Sequence, residues 1–170
     1  MLLERTTLLE EDIPKLMAIY AEGNAENGAY FYPECSRNEG ILRAEQDFIR
    51  FLRKDFFSSP GNVLYVWQTG GQWVSALRLT KRQSFWFLEA LETKPELRRQ
   101  GFGKTLLQAV CHRLEQQGPV VIRDHVRKTN EASLETHRAA GFVVEQDPVI
   151  LGGKPDARYY GMVYRSGPAL

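Results

Sequence analysis

The residues of this chain best suited to chemistry lie in one run, Leu88-Glu89-Ala90-Leu91-Glu92-Thr93-Lys94-Pro95-Glu96-Leu97-Arg98-Arg99-Gln100-Gly101-Phe102-Gly103-Lys104. It reads as a strand, a proline-bearing turn and a glycine-rich helix entry. Gly101 and Gly103 let the backbone approach an anion with no Cβ in the way, and the free N–H groups and positive dipole end of the next helix favour phosphate. Arg98, Arg99 and Lys104 add cationic donors beside that turn, and a pyrophosphate would fit it. Glycines alone do not name the ligand, because the spacing matches neither a Walker A loop nor the full dinucleotide fingerprint. A nucleotide-binding regulator would use the same loop, yet it leaves a second patterned segment, residues 130–142, without a task.

The elements that must hold this loop follow from periodicity. Residues 2–8 suit a first strand; Glu10, Glu11, Asp12 and Pro14 then signal a helix to about residue 22, with Ile13, Leu16, Met17 and Tyr20 on one face. Residues 23–37 read as loop. The period of Ile41, Leu42, Glu45, Phe48, Ile49 and Leu52 predicts a helix over 39–57. Runs 63–68 and 73–80 flank Thr69-Gly70-Gly71-Gln72, a hairpin connection, and 85–92 makes a third consecutive antiparallel strand. Leu106, Leu107, Val110, Cys111 and Leu114 give an amphipathic helix over 103–117, stopped by Gly118 and Pro119. A strand over 120–123, a helix over 130–140, and strands over 142–146 and 158–164 complete the order βααβββαβαββ. The economical packing is an α/β (α+β) fold: a mixed central sheet of seven strands flanked by four helices.

A chain of 170 residues, 43% hydrophobic and 25% charged, suits one domain over residues 1–170. Lys plus Arg number 22 against 21 Asp plus Glu, so no global field draws it to nucleic acid or an anionic membrane. Its two cysteines, Cys35 and Cys111, are too few for a disulfide framework, and no signal-like or membrane-spanning run occurs. Those features lead us to expect a cytoplasmic protein with a small-molecule or peptide partner. His112 and His125 lack companions at ligand spacing, read as surface or strand-end residues, and no metal is expected.

Arg98-Arg99-Gln100-Gly101-Phe102-Gly103 resembles the central signature of the GNAT superfamily of N-acetyltransferases: Gln or Arg, two residues, Gly, one residue, then Gly or Ala. The resemblance extends upstream to Leu91-Glu92-Thr93-Lys94-Pro95-Glu96, similar to the end of that family's fourth strand. Downstream it reaches a second motif, Asn130-Glu131-Ala132-Ser133-Leu134-Glu135-Thr136-His137, closing with Gly141-Phe142. It implies a GNAT-like fold and acetyl-CoA as cosubstrate. Backbone near Leu91 and Thr93 would pair with the pantetheine amides; Arg99, Gln100, Gly101, Phe102, Gly103, Lys104 and the adjoining Thr105 would hold the pyrophosphate, with Arg98 beside them. Asn130 and Ser133 would flank the pantetheine arm, and Asn130 is also a favoured helix N-cap.

Acetyl transfer to an amine needs a neutral nucleophile, whereas an alkylamine with a pKa of about 10.4 is mostly protonated near neutrality. Glu89 is the expected base: alternation puts it on the face shared with Leu91 and Thr93, with Glu92 facing the other way unless a bulge intervenes. Its other reading is a strand carboxylate paired with Arg78 or Arg123. Many family members carry Tyr where this chain has His137, so the acid that protonates the departing thiolate is either His137 or dispensable, since a thiol of pKa about 8.5 leaves readily. The acceptor amine is expected opposite the cofactor, against the 23–37 loop, where Ala29-Tyr30-Phe31-Tyr32-Pro33 is either an aromatic wall or a plug in the core. The tyrosines of Arg158-Tyr159-Tyr160-Gly161-Met162-Val163-Tyr164 are expected chiefly to cover the sheet. A fold that binds acyl-CoA without turnover remains an alternative, and the sequence leaves open whether two chains pair as a homodimer.

Overall fold

A computed structural model describes residues 1–167. The strands are β1 (Leu2–Arg5), β2 (Val63–Thr69), β3 (Gln72–Lys81), β4 (Trp86–Thr93), β5 (Val121–Arg127), β6 (Val143–Gln146), β7 (Val149–Leu151), β8 (Lys154–Asp156) and β9 (Tyr159–Arg165). The helices are α1 (Ile13–Ile19), α2 (Ala21–Phe31), α3 (Arg37–Phe51), α4 (Phe102–Glu115) and α5 (Glu131–Ala139). Seven strands form one mixed sheet in the order β1-β2-β3-β4-β5-β9-β6, antiparallel throughout except for the parallel pair β4 and β5. The expected mixed α/β sheet of seven strands is present.

Two departures from the expected order have local causes. The 23–37 segment is largely helix rather than loop: despite Gly23, Asn24, Asn27 and Gly28, it forms α2. Tertiary packing overrides weak propensity here, because a Cβ on Gly28 would stand 2.6 Å from the Gly40 carbonyl carbon, so only glycine lets α2 and α3 lie backbone to backbone. That makes five α-helices among the described residues instead of four. The turn Leu151-Gly152-Gly153-Lys154-Pro155 also joins the two short strands of a separate hairpin, β7 and β8, which carried too few residues to register as a period. The long second helix ends in a π-helical turn, Leu52–Phe56, that puts Leu52 and Phe56 into the core.

Apolar layers cover both faces of the sheet. On one, Leu77, Leu79, Leu88 and Ile122 pack against Leu106, Leu107, Val110 and Leu114 of α4 and Leu134 of α5. On the other, Leu64, Val66 and Ala76 meet Leu16, Ile19 and Tyr20 together with Leu52 and Phe56. At roughly 1.5 to 3 kcal/mol for each large side chain fully buried, these layers hold the sheet between helices and fix which strand face each residue occupies.

Two irregularities in β4 position the site. The β3 to β4 register runs Arg78 opposite Glu89 but Ala76 opposite Glu92, so the single residue Leu77 on β3 faces two, Ala90 and Leu91, on β4. The extra residue is a bulge, and Ala90 takes a left-handed φ of 53°. Beyond it, β4 and β5 part company: they pair only at Trp86 with Ile122 and Phe87 with Arg123. From Leu88 to Thr93, β4 therefore has no ladder partner on its β5 side.

Candidate active site

The bulge decides which carboxylate reaches a cavity. Since Glu89 and Glu92 sit opposite Arg78 and Ala76, they share the face toward α1, α2 and α3. Leu91 instead joins the α4-side core, and Thr93 turns the same way, its Oγ1 3.1 Å from Ser75 Oγ and 3.4 Å from where a Cβ on Gly103 would be. The expectation that Glu89 shares a face with Leu91 and Thr93 is thus corrected: an inserted residue reverses the alternation beyond it. Glu89 accepts a hydrogen bond from Thr80 Oγ1 at 3.2 Å, rather than pairing with Arg78 or Arg123.

A cavity of about 720 Å³ opens between β3, β4, α2 and α3, with Glu92, Arg78, Tyr20, Asn24 and Asn27 around its polar parts. Phe31, Phe48 and Phe51 supply apolar wall. The aromatic run at 29–33 is accordingly wall and not core plug: Tyr30 is 78% and Phe31 64% exposed, and Phe31 and Tyr32 line the cavity. Tyr20 donates its hydroxyl to the Ala90 carbonyl at 2.7 Å, which ties α1 to the bulge. Burial pushes the Glu92 carboxyl above the ordinary carboxylate range; Arg98, 3.4 Å away, pulls it down, and Glu22 and Glu26 push it further up.

On the other side of the bulge lies a second, narrower cleft of about 230 Å³ between the parted strands, lined by Ala90, Leu91, Asp124, His125, Arg127, Asn130, Ser133 and Tyr159. Ala90 borders both cavities. Asn130 caps α5, its Oδ1 accepting from Ser133 N at 3.1 Å, and still faces the cleft. Among the tyrosines of β9, Tyr159 lines the cleft while Tyr160 and Tyr164 pack on the core. His125 is not at a strand end: β5 runs on to Arg127, and the ring packs edge to face on Phe87.

The turn into α4 has the form of an anion cradle. Arg99 and Gly101 adopt left-handed φ values of 62° and 81°, and no side chain caps the helix. Arg98 N–H closes on Pro95 and Thr105 N–H on Gly101; among the described residues, none of Arg99, Gln100, Gly101, Phe102, Gly103 or Lys104 donates a turn or cap hydrogen bond between them. These donors suit a phosphate at a helix N-terminus. Arg98 is turned away from that role, with its guanidinium on Glu22, Glu92 and the Thr93 carbonyl.

His137 does not reach either cavity. It is fully buried, with Nδ1 2.7 Å from the Ser133 carbonyl, Nε2 2.8 Å from Asp124 Oδ2, and its ring edge to face with Phe142. Both nitrogens are engaged, and Asp124, not His137, borders the cleft. Arg78, Tyr20, Asp124 and Glu92 as a cavity acid were not legible as site residues. For Glu92 the one available signal was its place beside a bulge that sequence does not reveal.

The model of the acetyltransferase (GNAT) family matches residues 25–142. No curated protein matches the chain at a significant level. Among solved structures, the PaiA N-acetyltransferase from Thermoplasma acidophilum in complex with coenzyme A is 18% identical, with 98% of this chain and 99% of that one covered and a TM-score of 0.64. The Campylobacter jejuni N-acetyltransferase PseH in complex with acetyl coenzyme A is 12% identical over 98% and 100% of the two chains, TM-score 0.62. A GNAT-family acetyltransferase from Streptococcus pneumoniae is 17% identical over 98% and 100%, TM-score 0.61. At these identities the likeness is one of fold.

Proposed function

Because the chain belongs to the acetyltransferase (GNAT) family, we propose that it moves the acetyl group of acetyl-CoA to a primary amine of a small molecule or peptide. The observation that carries this reading is the meeting of two cavities at Ala90. One runs between parted strands, and the α4 entry, with Gly103 against Thr93 at the end of β4, would add phosphate-binding N–H groups. The other is large enough for an acceptor and holds a carboxylate whose proton affinity is raised.

The residues fit the cosubstrate. Leu91 and Thr93 belong to the stretch of β4 that has no ladder partner on the β5 side, and they suit the pantetheine amides. Asn130 and Ser133 border the same cleft. Arg99, Gln100, Gly101, Phe102, Gly103, Lys104 and Thr105 suit the pyrophosphate, Gly103 being small enough to sit against Thr93. Acetyl-CoA supplies an acyl group activated as a thioester.

Glu92 is the better placed general base. It faces the acceptor cavity, whereas Glu89 is held by Thr80 on the same strand face. A base with an affinity raised toward neutrality takes a proton from an arriving ammonium more effectively than an ordinary carboxylate. A main-chain N–H of β4 beyond its last pair with β5 would serve the oxyanion formed on attack. His137, with both ring nitrogens engaged, supports no acid role; it holds Asp124 at the cleft wall, and the thiolate departs without it.

Calorimetric titration with acetyl-CoA, followed by a thiol-release assay over a panel of primary amines, tests the reading. We expect saturable binding and amine-dependent release. Glu92→Gln should lower kcat by about 10²-fold or more while leaving acetyl-CoA affinity unchanged. Absence of any affinity for CoA or acetyl-CoA overturns it, and binding without release on any amine leaves an acyl-CoA-binding module.

A further inference from the structure

We propose that the acceptor carries a carboxylate beside its amine, a small amino acid with an apolar or aromatic side chain, and that Arg78 is the residue that selects it. This rests on the acyl-transfer reading above and concerns the acceptor half of the same site.

Arg78 lines the large cavity from β3, and its Cζ stands 5.5, 5.0 and 5.7 Å from the ring centres of Phe48, Phe51 and Phe56. Three rings hold the guanidinium plane in one place. Among the described residues it forms no ion pair, and its Nε is buried with no hydrogen-bond partner. The carboxylates around it are otherwise occupied: Glu89 accepts from Thr80, Asp47 is bonded by Tyr32 and Arg50, and Glu92 is paired with Arg98. A buried donor without an acceptor is costly, and a guanidinium is shaped to bind a carboxylate through two parallel hydrogen bonds. The cavity therefore contains a vacant counter-charge at one point and a base at another.

Spacing relates the two. Arg78 and Ala76 are two residues apart on β3, about 7 Å along a strand, and Glu92 lies opposite Ala76. That distance suits an acceptor whose amine and carboxylate are a few bonds apart. With Glu22 and Glu92 already paired to Arg98, the single guanidinium of Arg78 balances one negative charge rather than a phosphate dianion. Phe31, Phe48 and Phe51 offer the remaining surface to an apolar side chain, and about 720 Å³ is the size of a small-molecule pocket. In the transfer the carboxylate is a handle only: Glu92 takes one proton from the ammonium, the neutral amine nitrogen bonds to the acetyl carbon as the carbon–sulfur bond breaks, and the second nitrogen-bound proton passes to the departing sulfur, so that CoA leaves as the thiol.

The probes are L-phenylalanine and L-methionine against L-phenylalaninamide and 2-phenylethylamine, read both by kcat/KM and by calorimetric binding in the presence of CoA, where no turnover occurs. The wild type should favour the free acids by about 10-fold or more, the ratio typical of a charge-assisted hydrogen bond. Arg78→Met, which keeps the packing on the three rings, should abolish that preference, and Arg78→Lys should retain part of it. Amide or amine binding as well as the acids in the wild type overturns the inference, as does failure of every probe to bind. Because the wild-type comparison needs no variant, a folding defect cannot hide the answer. Acids that bind through Arg78 with no thiol release on them or on any amine of the panel sink the transferase reading and leave the carboxylate site standing; acetylation with no preference for acids does the reverse.

Discussion

Replacing His137 with Phe separates a structural histidine from a catalytic one. Phe preserves the ring and its edge contact with Phe142, so the loss is confined to polar terms. The Ser133 carbonyl keeps its helical bond and gives up only an additional partner, worth about 1 kcal/mol. Asp124, whose side chain is 14% exposed, loses the imidazole that satisfies Oδ2; leaving such a group unpaired costs roughly 1 to 3 kcal/mol. Together these amount to about 3 kcal/mol, which for a chain of this size lowers Tm by about 6 to 12 °C. Scanning calorimetry at neutral pH reads the shift, with kcat and acetyl-CoA affinity measured well below the transition. Adding Asp124→Leu should recover more than about 1 kcal/mol relative to the sum of the two single changes, because the stranded carboxylate disappears. A Tm within about 2 °C of wild type, accompanied by a loss of 100-fold or more in kcat, would refute the reasoning and return the ring to the reaction.

Three further outcomes follow from the geometry. Glu92 must be ionised to act, and burial raises its affinity for protons, so kcat/KM should fall as pH drops through a value above the ordinary carboxylate range; in Glu92→Gln a pH–rate profile should show that limb gone. Gly28→Ala drives a methyl into the Gly40 backbone and should cost about 1 to 3 kcal/mol by overpacking, raising the acceptor KM while acetyl-CoA affinity, measured by calorimetry, holds. The Arg123 guanidinium, with Arg165, holds Glu145 below its ordinary pKa. Its stabilisation of the β6 edge is present above the unfolded carboxylate pKa and lost as pH falls through the lower folded value. Glu145→Gln should therefore reduce stability by up to about 1 kcal/mol at neutral pH, the limit for a surface pair, and chemical denaturation near pH 3 should show the difference shrinking.

Much of the frame was legible because it depends on local signals. The apolar period of Leu106, Leu107, Val110 and Leu114 states both the helix and its buried face, and Gly101 before Phe102 marks a helix entry whose N–H groups are free. Asn130 announced its cap three residues ahead of Ser133. Alternation along β4 failed at a single inserted residue, which moved Glu92 into the large cavity and held Leu91 and Thr93 on the other face. The α2 helix failed for a kindred reason, since the packing of Gly28 on Gly40 is a fact about two segments and is absent from either alone.

By itself, then, the sequence determined the seven strands of the main sheet in their order along the chain and the glycine-bearing entry to α4, all of which are written in the spacing of neighbouring residues. Only the tertiary structure decided which carboxylate faces the large cavity, that His137 is sealed beneath Asp124, and that Arg78 stands among three phenylalanines without a counter-ion among the described residues. Those depend on strand register and on contacts between distant segments, and a one-residue bulge or a helix laid on a glycine changes them without disturbing any local pattern.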